Sequence, residues 1–355
     1  MPDAPLINSA RPVIALEGRD EPALADGLTR LAVGEDTEGL YRCEATFGNW
    51  GDVGGRADYL YFDRRKFDFG KALRVSMHGN TLFDGRITAL EAQYKENGPR
   101  HLNVLAEDRF QDLRMTRRTR TFNDVTDSDV FTRVANDHGL TPDVDVRGPQ
   151  HKLLSQTNQS DLAFLRERAR AADAEVWMDG STLHAKGRSG RDGGTRKLTY
   201  GAELSEFSVL ADLAHQRTSV FANGWDVSGK RALQFEATDS VIGPELDRDA
   251  SGASILASAF GQRKEALAHT VPLTEQEAQT HAESYFKRTA RRFVVGRGVC
   301  TASAGLRVGG YVELAGLGPL FNGRYYLSEV RHTFDFARGV RTTFTAERPG
   351  LGRAS

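Results

Sequence analysis

One short segment has the density of charged side chains that a catalytic centre needs. Three carboxylates and three arginines alternate there, namely Glu167, Asp173 and Glu175 with Arg166, Arg168 and Arg170. Two such carboxylates could act as general acid and base in glycoside hydrolysis, provided that a cleft holds them at a defined separation. The same spacing fits charged pairs on one solvated helix, and we favour that interpretation. We therefore predict no catalytic residue.

Histidine and glycine motifs give no stronger signal of catalysis or ligand binding. The nine histidines include no His-Glu-x-x-His, and His281 and Glu283 are too close in sequence to share a helix face. His332 falls in a strand pattern, which favours a structural role over metal ligation. The glycine-rich stretch 316–323 lacks the Lys-Ser/Thr pair of a phosphate loop. We expect neither a metal nor a cofactor.

Two clusters of basic side chains could bind acidic partner proteins. They comprise Arg114, Arg117, Arg118 and Arg120, and then Lys287, Arg288, Arg291 and Arg292. A solvated protein face would account for such clusters equally simply. Arginine nevertheless suits interfaces because its planar guanidinium binds carboxylates with two parallel hydrogen bonds. We retain both clusters as candidate interface residues.

Composition excludes several broad classes of protein. The 355 residues carry 47 Lys and Arg against 48 Asp and Glu, a net charge of −1, which disfavours general binding to nucleic acid or anionic membranes. Cys43 and Cys300 are too few for a disulfide framework, so we expect them to be buried apolar residues. Met1 to Arg11 lacks a signal-peptide pattern, and no apolar run is long enough to span a membrane.

Alternating hydrophobicity predicts strands in the first and last thirds of the chain. In the first third these are 11–16, 40–47, 72–79, 85–94 and 101–108, with a hairpin turn at Asn97-Gly98. The middle predicts helices at 126–140 and 158–176 and a hairpin at 175–187. A further helix is predicted at 275–292, since Thr274 and Glu277 fit a capping box.

A short motif repeats near the two ends of the chain. Leu82-Phe83-Asp84-Gly85-Arg86 matches Leu320-Phe321-Asn322-Gly323-Arg324 at an offset of 238 residues. The strand patterns on either side match as well. Asp or Asn before Gly favours a tight turn, so each copy is interpreted as a strand, a turn and a hairpin. Two similar β-domains separated by other segments would explain this repeat.

From about residue 70 to 350 the chain resembles the phage late control gene D proteins. These are tail hubs of contractile phages, and they are similar to the N-terminal part of the type VI secretion valine–glycine repeat spike proteins. The resemblance is most specific at Gln-Thr-Asn-Gln-Ser-Asp-Leu-Ala-Phe-Leu (156–165) and Phe-Asn-Gly-Arg-Tyr-Tyr (321–326). Other matching segments are 82–91, 126–140, 198–209, 220–230 and 305–335.

The resemblance implies a homotrimer in which each chain contributes two tube-protein-like β-barrels. Six barrels would then match a hexameric tube on one side and a three-fold spike on the other. Longer family members continue into a further β-domain and a β-helical needle, whose repeats are not found in this sequence. We therefore expect a separate spike polypeptide. A phage tail, a tailocin and an extracellular injection particle remain open alternatives.

These observations predict an α+β, β-dominated fold. It would contain two tube-protein-like β-barrel domains with a small α+β module and a helical segment between them. The predicted boundaries are 1–110 for the first barrel, 111–190 for the module, 191–240 with 293–350 for the second barrel, 241–292 for the helical segment and 351–355 for a tail.

The predicted function is structural: a non-enzymatic baseplate hub that joins tube to spike. Its expected partners are further copies of itself, a spike protein, a tube or tube-initiator protein, and wedge proteins. Assembly in the bacterial cytoplasm would precede incorporation into the particle. A hub-associated peptidoglycan hydrolase and a nucleic-acid-binding β-barrel protein are the alternative functions.

Overall fold

The computed structural model describes residues 11–301 and 305–352, where strands dominate. Residues 1–10 and the end of the predicted tail, 353–355, lie outside these ranges. The strands of the first half are β1 (Val13–Leu16), β2 (Arg19–Asp20), β3 (Leu28–Asp36), β4 (Arg42–Gly48), β5 (Gly51–Val53), β6 (Arg56–Asp58), β7 (Ala72–Met77), β8 (Asn80–Gln93), β9 (His101–Glu107), β10 (Arg117–Val125), β11 (Thr141–Asp145), β12 (His151–Ser160), β13 (Ala174–Asp179) and β14 (Thr182–Gly187).

The second half adds further strands and the longest helix. Its strands are β15 (Thr195–Thr199), β16 (Leu204–Ala211), β17 (Ser219–Asp226), β18 (Arg231–Thr238), β19 (Ala250–Ser251), β20 (Lys264–Ala266), β21 (Val294–Thr301), β22 (Tyr311–Ala315), β23 (Gly323–Asp335), β24 (Gly339–Arg348) and β25 (Gly350–Leu351). The helices of the chain are α1 (Pro22–Gly27), α2 (Phe110–Arg114), α3 (Asp127–Asp137), α4 (Asp161–Ala171), α5 (Gly252–Phe260) and α6 (Glu275–Ala290), with 3₁₀ turns at Arg188–Gly190 and Asp239–Glu245.

Side-chain caps fix where the predicted helices begin. Thr126 and Asp129 form a complete capping box at α3. Thr274 caps α6, but Glu277 turns its carboxylate to the backbone N–H of Leu273 instead of completing the box. Ser160 caps α4, so the helix predicted from 158 begins later. The residues before it belong to β12, because they pair with β10.

One 13-stranded sheet contains the first and last thirds of the chain. Its path is β16-β21-β24-β23-β3-β4-β9-β8-β7-β1-β2, with β22 paired to β23 and β15 paired to β22. The predicted α+β, β-dominated class is confirmed. The predicted barrels are not found as closed structures within the described ranges. The reason is that β3, which would have to close the first barrel, pairs with β23 of the second half.

The order of strands in the first half recurs in the second. The first six-stranded unit runs β1-β7-β8-β9-β4-β3, and the second runs β15-β22-β23-β24-β21-β16. Even the irregularities of the ladders recur. Four register shifts form two corresponding pairs, Ile87/Ala89 with Leu327/Glu329 and Leu28/Arg30 with Leu204/Glu206. A fifth shift, at Val75/Ser76 between β7 and β8, has no counterpart between β22 and β23. A β-bulge re-aims a strand, so matching bulges give the two units matching curvature.

The register shifts define which residues correspond. Ile87 corresponds to Leu327, an offset of 240 residues rather than the 238 of the sequence motif. Leu28 corresponds to Leu204, an offset of 176. One strand departs from the pattern, because β1 runs antiparallel to β7 whereas β15 runs parallel to β22.

Two smaller bodies are inserted between the strands of these units. The module from α2 to β14 contains the ladder β10–β12 and the three-stranded sheet β11-β14-β13, packed on α3 and α4. The hairpin predicted at 175–187 is formed by β13 and β14, which pair from Ala174 opposite Gly187 to Asp179 opposite Thr182. Residues 219–238, which we expected in the second barrel, pair instead with β20 and pack beneath α6.

Candidate assembly surfaces

The two units meet where β3 pairs with β23. Seven residue pairs connect these strands, from Glu329 opposite Asp36 to Asp335 opposite Arg30. One face of this ladder is buried, and its side chains are Leu31, Val33, Glu35, Val330, His332 and Phe334. The junction therefore combines backbone hydrogen bonds with an apolar seam, as the interior of a continuous sheet does.

Two buried polar side chains at the junction, Glu35 and His332, have specific partners. Glu35 forms an ion pair with Arg307 and accepts a hydrogen bond from the Val308 N–H. His332 Nε2 lies 3.2 Å from the Leu306 carbonyl and must donate to it, so Nδ1 accepts from the Thr342 hydroxyl at 2.9 Å. Burial, with the nearby charge of Arg307, lowers the pKa of His332 to about 4.

Arginines anchor the module to both units. Arg191 forms an ion pair with Glu175 at 2.9 Å and also donates to the Tyr41 hydroxyl. Arg188 pairs with Glu347 at 2.5 Å and covers the ring of Tyr326 at 3.9 Å. Burial of such charges is tolerable only when each has a partner, so these contacts fix the module against the sheet.

The carboxylates considered for catalysis are engaged in these structural contacts. Glu175 accepts from Arg191 and from the Tyr326 hydroxyl at 2.6 Å. Asp173 pairs with Arg291, and Glu167 accepts from the Gln159 side chain at 2.8 Å. Asp173 and Glu175 line one cavity together with Arg188 and Arg291, and arginine partners already bind both carboxylates, which supports a structural role.

Most of the first basic cluster holds the module together. Arg118 and Arg120 reach the buried Asp161 at 3.0 and 2.8 Å, and His138 approaches the same carboxylate at 2.8 Å. Burial alone would raise the pKa of Asp161, but these hydrogen bonds and charges lower it below its ordinary value. Arg117 donates to the Asn158 carbonyl at 2.9 Å, and Arg114 pairs with Glu107.

The second basic cluster divides into anchored and exposed members. Arg291 is buried and binds both Glu245 and Asp173. Lys287 approaches Asp173 at 3.6 Å, and Arg288 donates to the Arg170 carbonyl at 3.4 Å. Arg292 is exposed, and no ion pair or hydrogen bond of its side chain falls within the described residues. Arg292 therefore keeps its side chain available to a partner, whereas Arg288, which is also exposed, already donates to a backbone carbonyl.

The repeated motif has different surroundings in its two copies. Leu82 and Phe83 are buried in the first core, and Asp84 pairs with Arg74 at 2.8 Å. Asp84-Gly85 lies inside β8, so this copy forms strand where we expected a turn. A Cβ on Gly85 would lie 2.2 Å from the Glu107 carbonyl oxygen, so close strand packing explains this glycine.

The second copy lies at the beginning of β23. Leu320 and Phe321 precede the strand, the Asn322 side chain accepts from the Leu317 N–H at 2.8 Å, and Gly323 has a φ of +133°. Arg324 lies over the Tyr311 ring at 3.7 Å. This copy contains the turn chemistry that the sequence predicted for both.

Among the edges of the large sheet that lack a pairing strand within the described residues, two correspond to the strands of the β3–β23 junction. The first, named here the β8 edge, is the side of residues 88–94 that faces away from β9. The second, the β16 edge, is the side of residues 206–212 that faces away from β21. Exposed sheet edges favour pairing with another chain, because their backbone N–H and C=O groups have no protein partner.

An aromatic cluster at the β8 edge went unrecognised in the sequence. Tyr59 stacks on Phe62 at 4.5 Å and meets Trp50 edge-on at 5.1 Å, and Arg100 covers Trp50 at 3.7 Å. Tyr94 borders this group and is 62% exposed. The density of aromatic residues between 50 and 69 was the available signal, but it does not reveal that Tyr94 folds back beside them.

Metal centres and membrane-crossing helices are not found among the described residues. Across 11–301 and 305–352, no group of three or more His, Cys, Asp and Glu side chains has the geometry to hold a metal ion. In the same ranges no helix has the length and apolarity needed to cross a membrane. Cys43 and Cys300 are both buried, as predicted.

The fold is that of phage tail proteins. A 43 kDa tail protein of prophage MuSo2 from Shewanella oneidensis superposes with a TM-score of 0.71 at 14% identity, covering 96% of this chain and 99% of that one. A tail protein from Neisseria meningitidis gives 0.68 at 12% identity, covering 97% and 98%. The Escherichia coli c3393 protein, described as a type VI secretion component similar to the T4 tail proteins gp27 and gp5, gives 0.57 at 12% identity, covering 92% and 76%.

These similarities confirm the predicted baseplate hub-like fold. The sequence itself matches the family described as the Alg8 N-terminal domain over residues 65–335, and the chain belongs to that family. The comparison with curated proteins gave no significant match.

Proposed function

We propose that this protein is the structural baseplate hub of a contractile tail-like particle, a homotrimer that joins a hexameric inner tube to a three-fold spike. The observation that carries the proposal is the duplicated six-stranded unit within one continuous sheet. Three copies would present six similar units in a ring. A six-fold tube could then bind six equivalent surfaces, while the chains themselves retain three-fold symmetry for the spike.

The proposed role needs no catalysis. The carboxylates at 167–175 are held by arginine or amide partners, which supports a structural function. Partners of the hub would be a tube or tube-initiator protein, a spike and wedge proteins. Its fold likeness to prophage tail proteins supports assembly into such a particle. Formation in the bacterial cytoplasm would precede that assembly.

The mass of the purified protein tests the proposal. We expect light scattering to give protomers assembled to near three times 39.1 kDa, either for the protein alone or after a spike protein is added. A protein that stays monomeric in both conditions and at every concentration would contradict the hub function.

Arg292→Glu tests the exposed basic surface, and we expect weaker binding of an acidic tail partner without a change in protomer folding.

A further inference from the structure

The junction between the two units indicates how one chain contacts the next. The edge strand β3 of the first unit pairs with the C-terminal part of β23 in the second unit. The register shifts show that β16 corresponds to β3 and that β8 corresponds to β23. Both of these counterparts have an edge without a pairing strand in the described parts of the chain. The same joint could therefore form again between chains.

We propose that the β16 edge of one chain pairs antiparallel with the β8 edge of a second copy, in the register of the β3–β23 junction. This inference rests on the proposed homotrimer and specifies its interface. Transferring the register by the two offsets predicts the pairs Leu90 with Ala211, Glu91 with Leu210, Ala92 with Val209, Gln93 with Ser208, Tyr94 with Phe207 and Lys95 with Glu206.

Burial supports this pairing independently of strand order. Phe334 is 6% exposed at the junction within the chain, whereas its counterpart Tyr94 is 62% exposed. Val330 and His332 are buried, while their counterparts Leu90 and Ala92 are half-buried and exposed. A second chain on the β8 edge would bury Leu90, Ala92 and Tyr94, whose counterparts on β23 are already buried within the chain.

The β16 edge shows the same difference in burial. Leu31, Val33 and Glu35 are buried on β3, and their counterparts Phe207, Val209 and Ala211 are only half-buried. Ala211 stands where β3 has Glu35, so this edge needs no equivalent of Arg307. Phe207 already packs against Tyr325 and Phe344 on one side, which leaves its remaining surface for Tyr94.

Charge complementarity agrees with the transferred register. Asp335 stands opposite Arg30 at the end of the junction within the chain. The corresponding pair between chains is Lys95 opposite Glu206, again of opposite charge but with the signs exchanged. Both side chains are exposed. Opposite charges directly across two strands stabilise their register, and like charges disfavour it.

The pairing would also cover both free edges of an eight-stranded path through the sheet. Each chain contributes the eight strands β8, β9, β4, β3, β23, β24, β21 and β16 between its two free edges. Because the two edges differ, the contact is head-to-tail, and such a contact either closes into a ring or continues as a filament. Closure after three chains would pair every strand along this path, as in a β-barrel.

Cysteine cross-linking in four double variants tests the register. Glu91→Cys with Leu210→Cys and Gln93→Cys with Ser208→Cys place thiols directly opposite, where Cα atoms lie about 4.5–5.5 Å apart and a disulfide can form. The matched controls exchange the partners, Glu91→Cys with Ser208→Cys and Gln93→Cys with Leu210→Cys, which sets the thiols diagonally and farther apart. The native cysteines are buried and should not compete.

We expect the two opposite pairs to give at least about tenfold more covalent trimer on a denaturing gel than the two controls. A native trimer in which the four variants cross-link equally, or not at all, would overturn the strand pairing but leave the homotrimer intact. A chain that stays monomeric under all conditions would overturn the homotrimer and this interface together.

A charge exchange provides a second, non-covalent test. Lys95→Glu should weaken trimer association about two- to fivefold per contact, and adding Glu206→Lys should restore it. Loss of association in the single variant without recovery in the double variant would contradict the predicted opposition of these two residues.

Discussion

The two six-stranded units share a ladder but differ in what is inserted into it. In the first unit, the segment between β4 and β7 carries the β5–β6 hairpin and the exposed aromatic cluster. In the second, the longer insertion lies between β16 and β21 and contains β17, β18, β20, α5 and α6. The ladder and its bulges are therefore the common requirement of both units, whereas the insertions distinguish one surface from the other.

The difference in burial between the two units has a simple explanation. The second unit supplies β23 to cover the edge of β3, and its own edge strand β16 remains uncovered. Glu35 at the covered edge has an ion-pair partner, whereas its counterpart Ala211 is apolar. An edge that is paired within the chain can hold a buried charge permanently, while an edge awaiting a second chain avoids that desolvation penalty.

The largest expected effect concerns the corresponding register shifts in β3 and β16. Leu28 and Leu204 are both fully buried at corresponding register shifts. Leu28→Ala and Leu204→Ala should each lower the free energy of unfolding by about 2–5 kcal/mol, through lost burial and the cavity left behind. Urea denaturation would measure both, with the exposed Val227→Ala as the control.

Nearly equal losses in these two variants would indicate that the units are energetically similar. A loss confined to one of them would show that the structural repeat does not extend to stability. The control should change the unfolding free energy by less than about 0.5 kcal/mol.

A smaller, pH-dependent effect on stability should distinguish the β3–β23 junction from the corresponding residues of the β8 edge. Burial and Arg307 lower the pKa of His332 to about 4, against about 6.5 for an unfolded histidine. As the pH falls from about 6.5 to 4, the unfolded chain binds a proton that the folded chain excludes, so stability falls by up to about 3 kcal/mol. Its counterpart Ala92 cannot titrate.

The measurement compares wild type with His332→Gln, whose amide retains a donor for the Leu306 carbonyl. Urea unfolding at pH 7 and pH 4.5 should show a larger loss of stability in the wild type. Equal losses in both proteins would mean that His332 does not carry this pH dependence. The comparison removes the contribution of other titrating groups, because they are common to both proteins.

An intermediate effect should appear at the exposed aromatic side chain of the β8 edge. If a second chain covers Tyr94, Tyr94→Ser should weaken trimer association by about 1–3 kcal/mol per contact through lost apolar burial. The unfolding free energy of an isolated chain should change little, since Tyr94 is exposed there. Trp225→Ser, at an exposed aromatic on β17, is the matched control. Equal effects of both substitutions on association, measured by sedimentation, would argue against a specific role of Tyr94.

The sequence was sufficient to predict β1, β4, β7, β8 and β9 and the three long helices, because their hydrophobic periods and caps are local, but β3, β10, β11 and β12 were not predicted. Thr126, Ser160 and Thr274 are each within reach of the backbone that they cap. The short helices α1, α2 and α5 were not predicted. They are too short to show a full helical period, and α5 follows a glycine- and aspartate-rich stretch that favoured a loop.

Contacts between distant segments limited the prediction of the sheet and the assembly surfaces. The pairing of β3 with β23 joins segments about 300 residues apart, and neither strand reveals its second partner in its own sequence. The basic clusters illustrate the same limit, since Arg291 depends on Asp173 and Glu245. The motif at offset 238 indicated a repeat, but only strand pairing shows the structural offset of 240.

The smallest expected effect concerns two exposed contacts of arginine at corresponding positions of the two units. Arg74 stands opposite Asp84 on β7 and β8 and forms an ion pair with it, whereas Arg324, opposite Glu313, instead covers the Tyr311 ring. Asp84→Ala and Arg324→Ala should each cost about 0.2–1 kcal/mol, because exposed ion pairs and exposed cation–π contacts are similarly weak. High salt should reduce the effect of Asp84→Ala more than that of Arg324→Ala, since salt screens the ion pair while the aromatic contact also buries apolar surface. Identical salt dependence in thermal denaturation would show that both arginines act through charge alone.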